Sequence, residues 1–428
     1  MQFTALSRRP WRAALVASVA ALAAAALVWG VTSSGGSGGD EPEHTAENVI
    51  FVMGDGMGAS ARTLIRLATT GHDGDLAMNR LRYAGLVETD PDDDREPVTD
   101  SAAAGTAFAT GVRTYNGAVG ADAQAQPVPT LLERARAAGK ATGIVTTAEV
   151  TDASPAAFGA HVEDRAQQSE VARQYLEDSK PDVILGGGED RWLEPGNPGA
   201  YPDHPRKDPA EESSSDRGDL LARAQELGYE YVSDRAGLQD ARGPRLLGLF
   251  ANGEMYEQRP EGQGDLYEPV VPLDEMTAKA LSILQRDPEG FFLFVEEDGI
   301  DEFSHQNNAQ MTIRSGQALD RAVEVAARYT AAHPDTLLVV GADHATGGLA
   351  IENVDPAGES RAGDSAEDGP FTVAGTDLEV LVDWTTDGHT GEAVPVTADG
   401  PGAAALARVQ KNTDVHDTIL QAMGLGGD

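Results

Sequence analysis

The feature that most limits how this chain can fold is a set of short apolar runs, each closed by glycine or by acid. They are Asn48–Met53 (NVIFVM), Ala141–Thr147, Asp182–Leu185, Phe291–Val295 (FFLFV) and Thr336–Val340 (TLLVV). Apolar runs of this length, without alternation, suit strands buried on both faces. Between them lie stretches of helical period: Thr130–Ala138, stopped by Gly139, and the amphipathic Ile313–Tyr329. Strand alternates with helix, so the predicted class is α/β, with a central, mainly parallel β-sheet flanked by helices on both faces. Polar residues gather just beyond the strand ends, where open sheets of this kind bind ligands. The stretch from Trp192 to Glu275 breaks the pattern with Pro, Gly and acidic clusters, and reads as an irregular insertion in one domain. No internal repeat is evident.

Composition narrows the function. The 428 residues carry 70 Asp and Glu against 32 Lys and Arg, a formal net charge of −38. Such a surface repels nucleic-acid phosphates and anionic lipid headgroups, so neither is an expected partner. An anionic substrate would need positive charge concentrated locally, and metal ions are the obvious supply. The chain has no cysteine, which excludes disulfides, thiolate metal sites and thiol nucleophiles. The acidic run Glu88–Glu96 reads as a solvated loop.

The N-terminus reads as an address. Ser7–Arg12 is basic, Ala13–Trp29 is an apolar run rich in Ala, and Thr32–Gly39 is small and polar. This order belongs to an export signal, and Ser7-Arg8-Arg9 resembles the twin-arginine kind. Residues 1–39 are therefore expected to be an export signal, or a retained N-terminal anchor, ending in a Gly/Ser linker. Either way the remainder is expected outside the cytoplasm: periplasmic, extracellular or at the cell surface. Membrane contact is expected only through that anchor.

Several residues at strand ends suggest chemistry. In Val98–Ala107 an extended entry leads into an Ala-rich helix, placing Ser101 at a helix N-terminus. There it can serve as a cap or face an anion, and the residues alone favour the cap. Glu296, Asp301 and His305 follow the FFLFV run, Asp343 and His344 follow TLLVV, His389 lies in a DGHTG turn, and Asp55 sits in the glycine turn after the first run. The four-residue step from Asp301 to His305 puts both on one helical face. Imidazole and carboxylate are the ordinary ligands of Zn²⁺, and hydrolytic two-metal sites hold ions roughly 4 Å apart. Asp152 and Ser154 are oxygen donors suited to Mg²⁺, and Arg165 can fork two phosphate oxygens.

The motifs GDGMG, VTDSAAAGTAFATG, TTAEVTDASPAAFGAHVEDR, LGGG, FFLFVEEDGID-x3-H, ADHATGG and DGHTG occur in this order. Together they resemble the alkaline phosphatase family over most of the chain from Asn48 onward. The resemblance implies a catalytic domain over 45–428, with the excursion at about 192–275. It implies hydrolysis of phosphate monoesters through a phosphoserine, with two Zn²⁺ and one Mg²⁺. Ser101 matches the nucleophile and Arg165 the phosphate clamp, with Asp100 expected to orient that Arg. Asp301, His305 and His389 match one zinc site; Asp55, Asp343 and His344 match the other. Asp55 would bridge to a magnesium site completed by Asp152, Ser154 and Glu296, where Ser154 replaces the family's usual Thr. The family's common state implies a homodimer.

The chain departs from that pattern in places. Glu302 stands where members often carry Lys, His or Trp. A carboxylate there is expected to weaken phosphate binding or recruit a cation, speeding phosphate release and raising KM. Glu297-Asp298 replace smaller residues, with no consequence legible in the sequence. Leu247–Phe250 resembles members with an extra calcium site, but the following ligand position is Ala251, so that site is not expected. Two other readings compete: a phosphodiesterase of the same superfamily, and a non-catalytic exported metal-binding module. A sulfatase is disfavoured because Ser101–Gly105 lacks the C/S-x-P-x-R pattern.

Overall fold

The apolar runs become the middle of a ten-stranded sheet. The computed structural model describes residues 45–201, 212–259, 264–354 and 368–426. The signal or anchor reading of residues 1–39 lies outside the described residues. The strands named here are β1 (Asn48–Gly54), β2 (Tyr83–Glu88), β3 (Ala141–Glu149), β4 (Val183–Gly187), β5 (Glu230–Val232), β6 (Leu246–Leu249), β7 (Phe291–Glu297) and β8 (Thr336–Gly341). Across the sheet the order is Val409–Lys411, β2, Val394–Asp399, β8, β1, β7, β3, β4, β6, β5. Every pairing is parallel except the two made by Val394–Asp399. This is the mainly parallel sheet that the alternation of strand and helix predicts.

The central strands are buried along their whole length, which explains why they read as unbroken apolar runs. On one face lie helices α1 (Ala59–Thr70) and Ala309–Ala332; on the other lie α2 (Ser101–Thr110), α3 (Leu131–Ala137) and α4 (Ala153–Gly159). Phe158 of α4 stacks on Phe294 of β7 at 4.2 Å between ring centroids and edges onto Phe51 of β1 at 5.8 Å. Each such ring contributes about 1.5–3 kcal/mol by leaving water. The helix expected over 313–329 runs longer, Ala309–Ala332, because the Asn308 side chain caps it by accepting from the Met311 N–H.

The stretch read as irregular is partly regular. It supplies helix Leu220–Glu226 and the strands β5 and β6, which extend the sheet at one edge. Its strands are only three and four residues long, too short to show a period. The acidic run Glu88–Glu96 is likewise not wholly solvated. The Asp93 side chain turns inward and accepts from the N–H groups of Arg95, Glu96 and Asn116. Among the described residues no helix is long and apolar enough to cross a membrane.

Register brings the chemistry to one edge. Met53 of β1 lies level with Glu296 of β7 and Gly341 of β8. The turns after β1, β7 and β8 therefore open side by side, and Asp55, Asp301 and Asp343 converge.

Candidate active site

Helix α2 starts one residue earlier in function than the sequence suggests. Its cap is Asp100, whose Oδ1 accepts from the Ala103 N–H at 2.9 Å. Ser101 is thus the first helical residue and is released from capping. Its Oγ lies 3.2 Å from Nε2 of His344, and the residue is buried. The cap itself is set from outside: the Asn116 side-chain oxygen accepts from the Asp100 N–H, and its amide donates to Glu96 and the Val98 carbonyl.

Two groups with metal-ligand chemistry lie in this region, one of which contains His344. Asp55, Asp343 and His344 form the inner one, all buried. His344 Nε2 is 3.1 Å from Asp343 Oδ2 and 3.5 Å from Asp55 Oδ1. Asp343 spends its other oxygen on the N–H groups of Gly56 and His344. Asp301, His305 and His389 form the outer group. His305 Nε2 lies 3.1 Å from Asp301 Oδ2 and 3.1 Å from His389 Nε2. Each outer imidazole gives its Nδ1 to a carbonyl, His305 to Asp387 and His389 to Thr99. That leaves both Nε2 atoms facing one point, the arrangement in which a carbonyl fixes a ligand imidazole's tautomer. Antiparallel pairing of His389–Thr390 with Ala345–Thr346 places His389 opposite Thr346 and stacks it on His344 at 3.5 Å.

The remaining candidates line the same gap. Ser154 Oγ donates to Asp55 Oδ2 at 3.3 Å, and Glu296 accepts from Thr146 Oγ1 at 2.6 Å. Asp152 is engaged by Arg165, whose Nη2 is 3.1 Å from both of its oxygens. Arg165 Nη1 is 3.5 Å from Asp100 Oδ2. Glu302 is half-buried and held by Gln258, whose amide donates to Oε2 at 2.9 Å and to the Glu302 carbonyl. Gly56 is required by close approach: its φ is +65°, and a Cβ there would stand 2.5 Å from Asp301 Oδ1.

The electrostatics call for cations. Burial, together with Asp343 and Asp301, pushes the Asp55 carboxyl far above its ordinary range. Burial likewise lifts Glu296 to about 8, against the hydrogen bond from Thr146. Burial also acts to raise Asp301, but hydrogen bonds from His305 and His389 hold it well below the usual range. The same bond lifts His305 to about 9. Asp55 Oδ1 and Asp343 Oδ2 are buried and accept no hydrogen bond. Carboxylates packed this closely cannot all ionise unless positive charge joins them. The donor set, two imidazole–carboxylate groups and a set of oxygens, fits divalent ions.

Some of the site escaped the sequence. Thr346 Oγ1 donates to Asp301 Oδ1 and lies 3.3 Å from His344 Nδ1, so one hydroxyl touches both metal-ligand groups. It stands inside the ADHATGG motif, yet nothing in the motif marks its role. Glu297 and Asp298 also have a consequence now: Tyr267 donates to Glu297 at 2.6 Å and Tyr256 donates to Asp298. Both tyrosines pack on Phe303, within the helix Gly299–His305 that carries Asp301 and His305. The stretch 192–275 therefore packs against the helix that carries Asp301 and His305.

Serine, arginine and clustered His and Asp at the carboxyl ends of a mainly parallel sheet define a hydrolase of the α/β class with candidate metal-binding groups. The profile of the family described as alkaline phosphatase matches residues 46–377. Alkaline phosphatase from Escherichia coli K12 is 33% identical over 89% of this chain and 86% of its own length. Streptomycin-6-phosphate phosphatase from Streptomyces griseus is 35% identical over 98% of this chain and 99% of its own. Among solved structures, the Thermus thermophilus alkaline phosphatase superposes with a TM-score of 0.73 at 28% identity, covering 90% of this chain and 92% of that one. The enzyme from the Antarctic bacterium TAB5 gives 0.70 at 27%, covering 90% and 99%. The chain belongs to the alkaline phosphatase family, and it is a phosphoric monoester hydrolase.

Proposed function

We propose that this protein is an exported alkaline phosphatase that hydrolyses phosphate monoesters through a phosphoserine at Ser101. The observation that carries the reading is the position of the Ser101 hydroxyl, freed from capping, beside His344, on which His389 of the second His/Asp group stacks, with Arg165 held by the neighbouring Asp100. Asp301, His305 and His389 would hold one Zn²⁺ and Asp55, Asp343 and His344 another, with Mg²⁺ on Asp55, Asp152, Ser154 and Glu296. Such ions, when bound, supply Lewis-acid charge neutralisation and make a hydroxyl or water more acidic. Ser101 Oγ forms the new bond to phosphorus as the bond to the alcohol oxygen breaks, and the alcohol leaves with a proton. Water then cleaves the phosphoserine, returning the proton-bearing hydroxyl and releasing inorganic phosphate. Arg165, oriented by Asp100 and Asp152, forks two non-bridging oxygens and favours a dianionic monoester. Its guanidinium stays charged throughout, because Asp152 raises its pKa.

Glu302, held by Gln258, sets a negative charge near that phosphate and is proposed to speed its release and raise KM. Residues 1–39 are proposed to direct export or anchor the chain, and 45–428 to be the catalytic domain.

The test uses metal-loaded protein with p-nitrophenyl phosphate, bis-p-nitrophenyl phosphate and streptomycin 6-phosphate, the ester for which the S. griseus relative is named. The monoesters are expected to turn over much faster than the diester, and Ser101→Ala to remove activity. Labelled phosphate trapped on any residue other than Ser101 would overturn the reading. For Glu302, a Glu302→Lys variant with unchanged phosphate inhibition would end that part.

A further inference from the structure

The reaction at Ser101 makes no use of the acidic run Glu88–Glu96 or of the turn Tyr115–Ala118, yet the two are tied together. The Asp92 N–H donates to the Thr114 carbonyl at 2.8 Å, and Arg113 donates to the carbonyls of Asp90 and Pro91. The Asp93 side chain is 4% exposed and accepts from the Asn116 N–H at 3.3 Å. Glu96 accepts from the Asn116 amide at 3.0 Å, and the Val98 carbonyl accepts from it at 2.9 Å. Asn116 Oδ1 in turn accepts from the Asp100 N–H at 3.0 Å. Both ends of this short side chain are thus spent on residues 96–100.

The turn itself closes through the Ala118 N–H and the Tyr115 carbonyl at 3.2 Å. Gly117 stands at its third position with φ +91°, where glycine is favoured. The Gly117 N–H donates to Asp100 Oδ2 at 3.0 Å, and its carbonyl accepts from the Arg165 N–H at 2.9 Å. Tyr115 Oη donates to the Glu163 carbonyl at 3.1 Å, and Val119 and Val162 exchange both backbone bonds at 3.0 Å. The segment 115–119 is therefore fastened to the segment that ends in Arg165.

Asp100 caps the helix that Ser101 begins, and its Oδ2 lies 3.5 Å from Arg165 Nη1. We propose that Asn116 and Gly117 are positioning residues that set Ser101 and Arg165 against one phosphate, and that the acidic run 88–96 is the brace that holds them. The inference rests on the reading of Ser101 and Arg165 given above. A displacement of about 1 Å between reacting groups can cost on the order of 100-fold in rate. An amide engaged at both its donor and acceptor ends restricts such displacement. By charge alone Asp93 and Glu96 would repel a phosphate, so the bracing role and the charge role act with opposite signs.

Inhibition of p-nitrophenyl phosphate hydrolysis by inorganic phosphate, read on the metal-loaded full chain, tests it. Asn116→Ala is expected to raise the inhibition constant about tenfold and to lower kcat/KM about 100-fold. Arg165→Ala alone is expected to raise the inhibition constant about tenfold or more. Adding Asn116→Ala to Arg165→Ala is expected to change it less than about twofold, because residues acting as one unit do not add. A residue that merely supports the fold would add its full effect. Should Asn116→Ala fail to fold, Glu96→Ala removes one acceptor of the Asn116 amide at the surface. It is expected to weaken phosphate about threefold, whereas charge alone predicts tightening. Full additivity with Arg165→Ala, or unchanged or tighter phosphate in Glu96→Ala, would overturn the brace. So would wild-type inhibition in Asn116→Ala beside a defect in Arg165→Ala. Wild-type inhibition in Arg165→Ala would overturn the phosphate clamp and the brace together.

Discussion

The two His/Asp groups use the same chemistry in different surroundings. Every residue of the inner group, Asp55, Asp343 and His344, is at most 1% exposed, whereas the His305 side chain of the outer group is 33% exposed. The inner oxygens include two with no hydrogen bond at all, while the outer imidazoles are each oriented by a carbonyl. On the proposed reading, burial would make the inner group depend on a cation, because its carboxylates are removed from water. On the same reading, exposure would let the outer group exchange its ion and meet a leaving group and water.

That contrast sets the ranking of effects. Asp343→Ala is expected to lower kcat/KM by about a thousandfold or more, with no rescue by added zinc. His305→Ala, at the open group, is expected to lose less, about 10–100-fold, with partial rescue by added zinc. Steady-state rates across a zinc titration decide it, and equal loss with equal rescue would break the distinction. A chelator is expected to strip metal in two phases, the outer group first, followed by atomic emission on the dialysed protein. Single-phase loss would show that burial does not control exchange. Thr346→Val removes the hydroxyl that touches both groups and is expected to cost about 10–100-fold in activity or metal affinity. If Thr346→Val retains full activity and zinc content, the two groups are positioned independently.

The smallest effect comes from a His–carboxylate pair that has no third His or carboxylate ligand among the described residues. His161 Nε2 lies 3.0 Å from Glu133 Oε1. Burial works to lower the His161 pKa, but Glu133 and the Gly120 carbonyl raise it above 6.5 overall. Burial likewise opposes Glu133, whose pKa nevertheless falls below 4.5 because of His161 and the Thr130 N–H. The His contribution is therefore full below its unfolded pKa and fades as pH rises through the folded value. The Glu contribution is present above its unfolded pKa and fades as pH falls through its folded value. His161→Gln is expected to cost about 1 kcal/mol near pH 6 and less near pH 9 in urea unfolding of the metal-loaded protein. A cost that grows toward pH 9 would reverse the assignment.

Much of the site is legible in the sequence. Asp55 and the Asp343-His344 pair directly follow apolar runs, Asp301 and His305 share one helical face after another, and His389 stands in the DGHTG motif, while strands buried on both faces announce themselves as unbroken apolar runs. Less legible were β5 and β6, because three or four residues carry no period. The capping role of Asp100 was hidden because Asp and Ser are comparable caps in sequence, and only the backbone settles which one precedes the first helical turn.

What the sequence determined by itself was the alternation of strand and helix, the turns after β1, β7 and β8, and the inventory of ligating side chains. These are local: each follows from periodicity, glycine or residue type within a few positions. Only the tertiary structure decided that Thr346 spans both groups, that Tyr256 and Tyr267 brace Glu297 and Asp298, and that the buried Arg62 donates to Asn79 and Thr397. Among these contacts Tyr267 with Glu297 joins residues 30 positions apart, and Arg62 with Thr397 joins residues 335 apart. Their partners are selected by packing, where any of many chemically equivalent hydroxyls or carboxylates would satisfy the sequence equally well.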